Sequence, residues 1–154
     1  MKARSCLLTS LSLYLLLLLG FPSAYAYDVE THCKAITISK EASGEGLLGM
    51  RAVLDTLETR IKKNNSSCVK EVSLQGQWSW YKKGISLKAT QKQLTDYKRV
   101  VRMESVVRAT HFHLTSVKPK WAKKMKFVKK IGKHLFYLER DNERRPEKAC
   151  ERAN

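Results

Sequence analysis

The chain has 154 residues, and its 30 lysines and arginines against 14 acidic residues give a net charge of +16. The length fits one compact domain that buries its own core, which excludes dependence on metal or dense disulfides. The charge implies an anionic partner; the alternative is that it provides only solubility and weak surface adhesion.

Residues 1–26 have the features of an export signal. Lys2 and Arg4 give a positive start, residues 7–19 are an apolar run, and a small-x-small cleavage site ends at Ala26. Cleavage there would leave 128 of the 154 residues, beginning at Tyr27, with 28 basic and 14 acidic side chains and a net charge of +14. The alternative is an uncleaved anchor, although the run is shorter than the roughly 20 residues of a spanning helix. We expect a periplasmic or cell-wall location.

Cleavage would leave three cysteines, Cys33, Cys68 and Cys150. Export places them where disulfides persist, and an odd number leaves at least one thiol over. A bond from Cys68 to Cys150 is preferred because it would tie the C-terminal tail to the domain. Cys33 to Cys68 is the alternative, and no neighbouring base suggests a catalytic cysteine.

Apolar spacing predicts three helices, Asp28–Lys40, Leu47–Lys63 and Ala89–Arg108, of which the third is the longest. The segment between the second and third, Cys68–Leu74, is predicted to be irregular or extended. After the third helix, residues 125–130 and 134–139 predict a hairpin around a glycine at position 132.

A break separates the first two helices, in the sequence Glu41-Ala42-Ser43-Gly44-Glu45-Gly46. A carboxylic acid at the end of a buried helix has a raised pKa and can act as a general acid, which makes Glu41 the catalytic candidate. The alternative is a solvated charge at a helix end. Glu45 lies just before the second helix, so it either caps that helix or supports substrate binding.

Aromatic residues are concentrated after the break, in Gln77-Trp78-Ser79-Trp80-Tyr81. Flat aromatic faces stack on sugar rings, and the amide of Gln77 can hydrogen-bond a hydroxyl or N-acetyl group. We expect Trp78 to be buried and either Trp80 or Tyr81 to face a cleft.

Three histidines, His111, His113 and His134, raise the question of a metal site. Their spacing is not that of a zinc site, and no helical HExxH motif is present. We therefore expect neither a metal nor another cofactor. The turn around Pro119 could place Trp121 beside a substrate.

Many of these residues fall in one order that resembles the SleB-type cell wall hydrolase family. The matching positions are Glu41 to Glu45, Gly49, Ala52-Val53, Arg60, Cys68, Val72, Gln77 to Trp80, His111 to His113, Val117, Pro119, Trp121, Met125, Ile131-Gly132, His134 and Phe136-Tyr137. The chain departs from the family pattern at Ser43, Thr59 and Trp78, where the family has arginine, asparagine and phenylalanine.

The resemblance and the predicted elements together imply an α+β fold, mainly helical and lysozyme-like, with a small β-hairpin. We expect a signal peptide at 1–26, the catalytic domain at 27–140 and a charged tail at 141–154. The resemblance further implies that His113 and His134 shape the cleft. It also implies cleavage of the peptidoglycan bond between N-acetylmuramic acid and N-acetylglucosamine, with Glu41 as the acid.

A count of carboxylates favours a lytic transglycosylase, because an ordinary glycosidase needs two acids and only Glu45 lies near Glu41 in the sequence. The expected partners are glycan strands and anionic envelope polymers, not nucleic acid or an obligate protein partner. The protein is encoded by either a bacterium or a phage. The competing hypothesis is an exported basic protein without activity that binds wall polymer or nucleic acid.

Overall fold

The computed structural model describes residues 28–74 and 76–140 of the chain. The predicted export signal, the charged tail with Cys150, and Gln75 lie outside the described residues. Within them, no helix is both long enough and apolar enough to cross a bilayer.

The helical part precedes the sheet in the chain. The α-helices of the described residues are α1 (Val29–Ala42), α2 (Gly46–Asn64), α3 (Cys68–Ser73) and α4 (Gln91–Val100), and short 3-10 helices span Ser43–Glu45 and Lys120–Lys124. The Asp28 carboxylate caps α1 by accepting the backbone N–H of Glu30 at 3.1 Å. Asn65 ends α2 in the left-handed conformation.

Three antiparallel strands form the β part. They are β1 (His111–Leu114), β2 (Lys126–Ile131) and β3 (His134–Leu138), in the order β1-β3-β2. The predicted hairpin is confirmed as β2 and β3, and β1 adds a third strand beside β3. The α+β, mainly helical fold class is therefore confirmed.

The core of the described residues has three clusters: one between the helices, one between α2 and the sheet, and a small one of Ala35, Ile36 and Ala89. The first contains Ile38, Val53, Leu54, Leu57 and Trp78. The second contains Ala52, Val107, Ala109, Ile131 and Phe136. Burying α2 on both sides makes it the central element, and the break that precedes it is held between α1 and the sheet.

The preferred disulfide was wrong, because Cys68 is bonded to Cys33. Both cysteines are fully buried in the helical core, where α1 packs against α3. The Glu30 carboxylate on α1 also accepts the backbone N–H of Cys68 at 2.8 Å. Two contacts therefore bring the start of α3 to α1, and the disulfide leaves no free thiol on Cys68 for a bond to Cys150.

Two segment predictions were also wrong. Residues 68–73 are helical because the Ser67 side chain caps the helix by accepting the N–H of Lys70. The predicted helix Ala89–Arg108 begins later and ends at Val100. The last residues of the predicted segment are not helical, because the carboxylate of Asp55 accepts the N–H groups of Val106 and Val107 at 2.7 and 3.1 Å.

Candidate active site

Glu41 lies in the last turn of α1, directly before the break that separates α1 from α2. Its Oε1 atom is buried and has no hydrogen-bond partner among the described residues. Burial raises the pKa of the Glu41 carboxyl above its usual value. This carboxyl therefore favours its protonated form, as a general acid requires.

Glu45, the second carboxylate of the break, is held by the hairpin turn. Both of its oxygens accept the backbone N–H of Lys133, at 3.1 and 2.9 Å. Its Oε1 also lies 3.2 Å from Nδ1 of buried His134, although the ring is not oriented for a hydrogen bond. Glu45 is the N-cap residue of α2, as its position in the sequence predicts, but its side chain makes no capping hydrogen bond to that helix.

Two glycines leave the space that the Glu45 side chain occupies. A Cβ atom added at Gly132 would overlap the Glu45 carboxylate, and one added at Gly49 would lie 2.5 Å from the Glu45 Cβ. Gly132 also has a φ of +56°, as the first residue of the two-residue turn between β2 and β3. The break and the hairpin therefore meet at a backbone-to-carboxylate contact that requires glycine on both sides.

The inner face of the sheet lies behind this contact. His134 is buried, and its ring packs edge-on against Phe112 at a centroid distance of 5.2 Å. Phe112 also contacts Trp78, at 5.8 Å, and Phe136, at 5.6 Å. His134 thus belongs to a cluster of packed rings that lies behind Glu45.

His113 lies on the opposite, outer face of the sheet, because side chains alternate along a strand and His113 is paired with Leu135 rather than His134. It stacks on Tyr137 at 5.2 Å, and its Nε2 lies 3.1 Å from the Tyr137 hydroxyl. Trp121 packs edge-on against both rings. The two histidines that are expected to shape the cleft therefore lie on opposite faces of the sheet.

The aromatic loop is packed on the helical core. Trp78 is 4% exposed, as predicted, whereas Trp80 and Tyr81 are both half-buried and contact each other at 5.8 Å. The indole N–H groups of both tryptophans are buried without an acceptor in the described part of the chain. Gln77 is exposed, and its Oε1 accepts Arg60 Nη1 at 2.7 Å.

Most acidic residues of the described part of the chain are engaged elsewhere, and the exception besides Glu41 is the exposed Glu104. Asp55 pairs with Arg51 at 2.7 Å, and Glu58 pairs with Lys34 at 3.4 Å. Other acidic side chains with a defined partner in the described residues are Asp28, Glu30, Glu71, Asp96 and Glu139. Asp55 and Glu58 both lie in α2, and their ion pairs give each of them a structural partner.

A cavity of about 220 Å³ lies at the other end of α2. Arg60, Lys63, His111 and Glu139 are among the residues that line it. Fifteen residues of α2 separate Glu45 from Arg60, which at 1.5 Å per residue is about 22 Å. This cavity therefore does not adjoin Glu41.

Comparison with known families identifies the chain. Residues 44–137, more than half of its length, match the model of the cell wall hydrolase family. The chain belongs to this family. No curated protein and no solved structure matches it significantly.

Membership in the cell wall hydrolase family confirms the resemblance seen in the sequence and implies a peptidoglycan substrate for this hydrolase. The matched residues include Glu45, His134, the aromatic loop, His113 and Trp121, whereas Glu41 lies three residues before the match begins. The assignment of Glu41 therefore depends on its own surroundings.

Proposed function

We propose that this cell wall hydrolase is an exported lytic transglycosylase that cleaves the bond between N-acetylmuramic acid and N-acetylglucosamine, with Glu41 as acid and then base. The observation that carries the proposal is the buried, unpartnered Glu41 oxygen at the edge of the break. Desolvation raises the pKa of the Glu41 carboxyl, which shifts it toward the protonated form that can donate to a glycosidic oxygen.

The surroundings of Glu41 support a mechanism with one carboxylate. A second carboxylate within about 5–5.5 Å, as in retaining glycosidases, would raise the pKa of Glu41 by repulsion as well as by burial. The pKa of Glu41 is raised by desolvation, without a contribution from a neighbouring charge. Glu45, the nearest acid in the sequence, is occupied by the Lys133 N–H.

The reaction then proceeds without water. Glu41 gives its proton to the glycosidic oxygen, and the bond from that oxygen to C1 of the muramic acid breaks. The N-acetylglucosamine leaves with a free 4-hydroxyl, and positive charge develops at C1. The Glu41 carboxylate takes the proton of the muramic acid 6-hydroxyl as O6 bonds to C1. The product carries a 1,6-anhydro ring, and Glu41 is protonated again.

Substrate binding is assigned to the half-buried aromatic side chains of the loop and the outer sheet face. The indole N–H of Trp80 is itself buried, so Trp80 offers a sugar only the exposed part of its ring. Tyr81, Trp121 and His113 offer ring faces or edges. Gln77 lines the cavity at the other end of α2, so its amide is available only to a distant part of a long glycan strand. Glu45 and His134 act as positioning residues because they hold the break against the hairpin turn.

The decisive experiment compares Glu41→Gln with Glu45→Gln in a turbidity assay on purified peptidoglycan. Glu41→Gln keeps size and hydrogen bonding but removes the proton, so lysis should fall by about 10²–10⁴-fold with folding intact. Glu45→Gln keeps one oxygen for the Lys133 N–H and should lose less activity. An inactive Glu45→Gln beside an active Glu41→Gln would assign the acid to the other carboxylate.

Export is a separate part of the proposal and has its own test. It is supported by the positive start, the apolar run and the small-x-small site in residues 1–26. The mature protein should have the intact mass of a chain that begins at Tyr27, in the periplasmic fraction. A full-length mass in the membrane fraction would show an anchored form instead.

A further inference from the structure

A dense run of positive charge lies in and beside the β2 strand. No aspartate or glutamate occurs between residues 105 and 138. Within this segment eight lysines fall between positions 118 and 133, and all are exposed: Lys118, Lys120, Lys123, Lys124, Lys126, Lys129, Lys130 and Lys133. No carboxylate of the described residues pairs with any of their ammonium groups; among the other described lysines, only Lys34, Lys63 and Lys92 have acidic partners.

Exposed apolar side chains lie among these lysines. Phe127 is 53% exposed, Val117 49%, Leu114 42% and Val128 36%. We refer to these four residues and the eight lysines as the lysine surface. Phe127 and Val128 lie in β2, an edge strand whose residues are all exposed except Ile131.

The parts of the lysine surface are continuous in space. The 3-10 helix Lys120–Lys124 contacts β2, which follows it directly. At the other end of β2, the N–H of Thr115 donates to the carbonyl of Lys133 at 2.8 Å, which places the turn after β1 beside the hairpin turn. The lysine surface therefore runs along the β2 edge of the sheet and includes side chains from both of its faces. Phe127 and Lys130 share the outer-face register of Tyr137 and Leu135, whereas Lys129 shares the inner-face register of Phe136.

We propose that the lysine surface attaches this enzyme to an anionic lipid membrane surface. Lysines near such a surface are attracted to its phosphate groups, and the attraction is screened within about 10 Å at 0.1 M salt. Aromatic side chains and the apolar stems of lysines occupy the boundary between lipid and water. The proposal goes beyond the cleavage reaction and does not depend on Glu41.

Protection of the sheet edge and binding of a soluble polyanion would each use only part of the lysine surface. Lysines on an edge strand prevent pairing with a second chain, but Lys118, Lys120, Lys123 and Lys124 lie outside β2. A soluble polyanion would be held by the lysines alone, and it would gain nothing from an exposed Phe127. A lipid surface uses both kinds of side chain.

The test measures co-sedimentation of the mature protein with vesicles. One set contains phosphatidylglycerol and phosphatidylcholine, and the other contains phosphatidylcholine alone. The triple variant Lys123→Gln/Lys126→Gln/Lys130→Gln removes three charges from the lysine surface. The matched control, Lys70→Gln/Lys88→Gln/Lys98→Gln, removes three exposed charges elsewhere. Circular dichroism and thermal midpoints verify that both variants fold.

The wild type should bind the anionic vesicles and not the neutral ones. The surface variant should bind at least about tenfold more weakly, and the control within about twofold of the wild type. Phe127→Ser should also weaken vesicle binding by about threefold or more, whereas Ile85→Ser, at a residue 38% exposed, should not.

Three outcomes would overturn the proposal. The first is that the wild type does not bind anionic vesicles. The second is that the surface and control variants lose binding equally, which would mean that net charge alone acts. The third is that Phe127→Ser binds vesicles as the wild type does, while soluble polyphosphate competes fully. That result would assign the lysines to a polyanion instead of a membrane.

Discussion

Substitution of Gly132 by alanine tests whether the contact between the hairpin turn and Glu45 organises the active site. An added Cβ would overlap the Glu45 carboxylate, with the carboxyl carbon 2.8 Å away, and it would have to adopt a φ of +56°. Gly84 provides a matched control because its φ is +84° and nothing lies within 4 Å of an added Cβ. The two variants share the backbone strain and differ in the displacement of Glu45.

The two contributions to the loss of unfolding free energy can be separated in the same way. Alanine in the left-handed region costs about 1–2 kcal/mol at either position. Displacing Glu45 adds the loss of its charge-assisted hydrogen bond with the Lys133 N–H, about 1–2 kcal/mol at this exposed turn. The free energy of unfolding of Gly132→Ala should therefore be about 1–2 kcal/mol lower than that of Gly84→Ala. This difference corresponds to a Tm that is roughly 3–8 °C lower.

Urea unfolding and the turbidity assay together measure both effects. Because Glu45 holds the break that follows Glu41, Gly132→Ala should also lower peptidoglycan lysis, whereas Gly84→Ala should not. If both variants were equally stable and equally active, the contact between Glu45 and the turn would not position the catalytic acid.

Further predictions concern the disulfide, the pH dependence and the salt dependence. Cys33→Ser/Cys68→Ser should lose about 3–4 kcal/mol in urea unfolding, as expected for a loop of this length, and Cys150→Ser should lose little; the reverse order would contradict the observed pairing. Because the pKa of Glu41 is raised in the folded state, ionising it costs stability at pH values above that pKa and nothing below the unfolded value. Glu41→Gln should therefore stabilise the protein at pH 8 but not at pH 3.5, and equal effects at both pH values would refute the burial argument. Wild-type activity should fall as pH rises through the raised pKa, in a limb of the pH profile that Glu45→Gln retains. Binding to whole walls should weaken steeply with salt, whereas activity on a short neutral glycan should change little; equal salt dependence would show that charge does not recruit the enzyme.

The elements nearest the break were the most predictable from the sequence. Apolar spacing placed α1 and α2 within a few residues of their observed ends, and the glycines marked the break between them. The raised pKa of Glu41 followed from the same pattern, because a carboxylate at the end of an apolar helix is desolvated. These features depend on local sequence and on one helix face.

The predictions that were wrong concern segments whose local structure is set by residues far away in the sequence. The end of α4 depends on Asp55, which is about fifty positions earlier and takes two backbone N–H groups that would have continued the helix. The side chain of Glu45 bonds Lys133 instead of its own helix. A glycine at position 132 was visible as a turn signal, but the sequence does not say which side chain fills the space beside it.

The central claim is that Glu41 acts alone and that the muramic acid 6-hydroxyl replaces water. Mass spectrometry of the soluble muropeptides released by the wild-type enzyme tests it most directly, because the anhydro product is lighter than the hydrolytic product by one water. We expect new 1,6-anhydromuramic ends and no new reducing ends. A digest that contained only reducing ends would contradict the one-carboxylate mechanism and would require a second acid near Glu41.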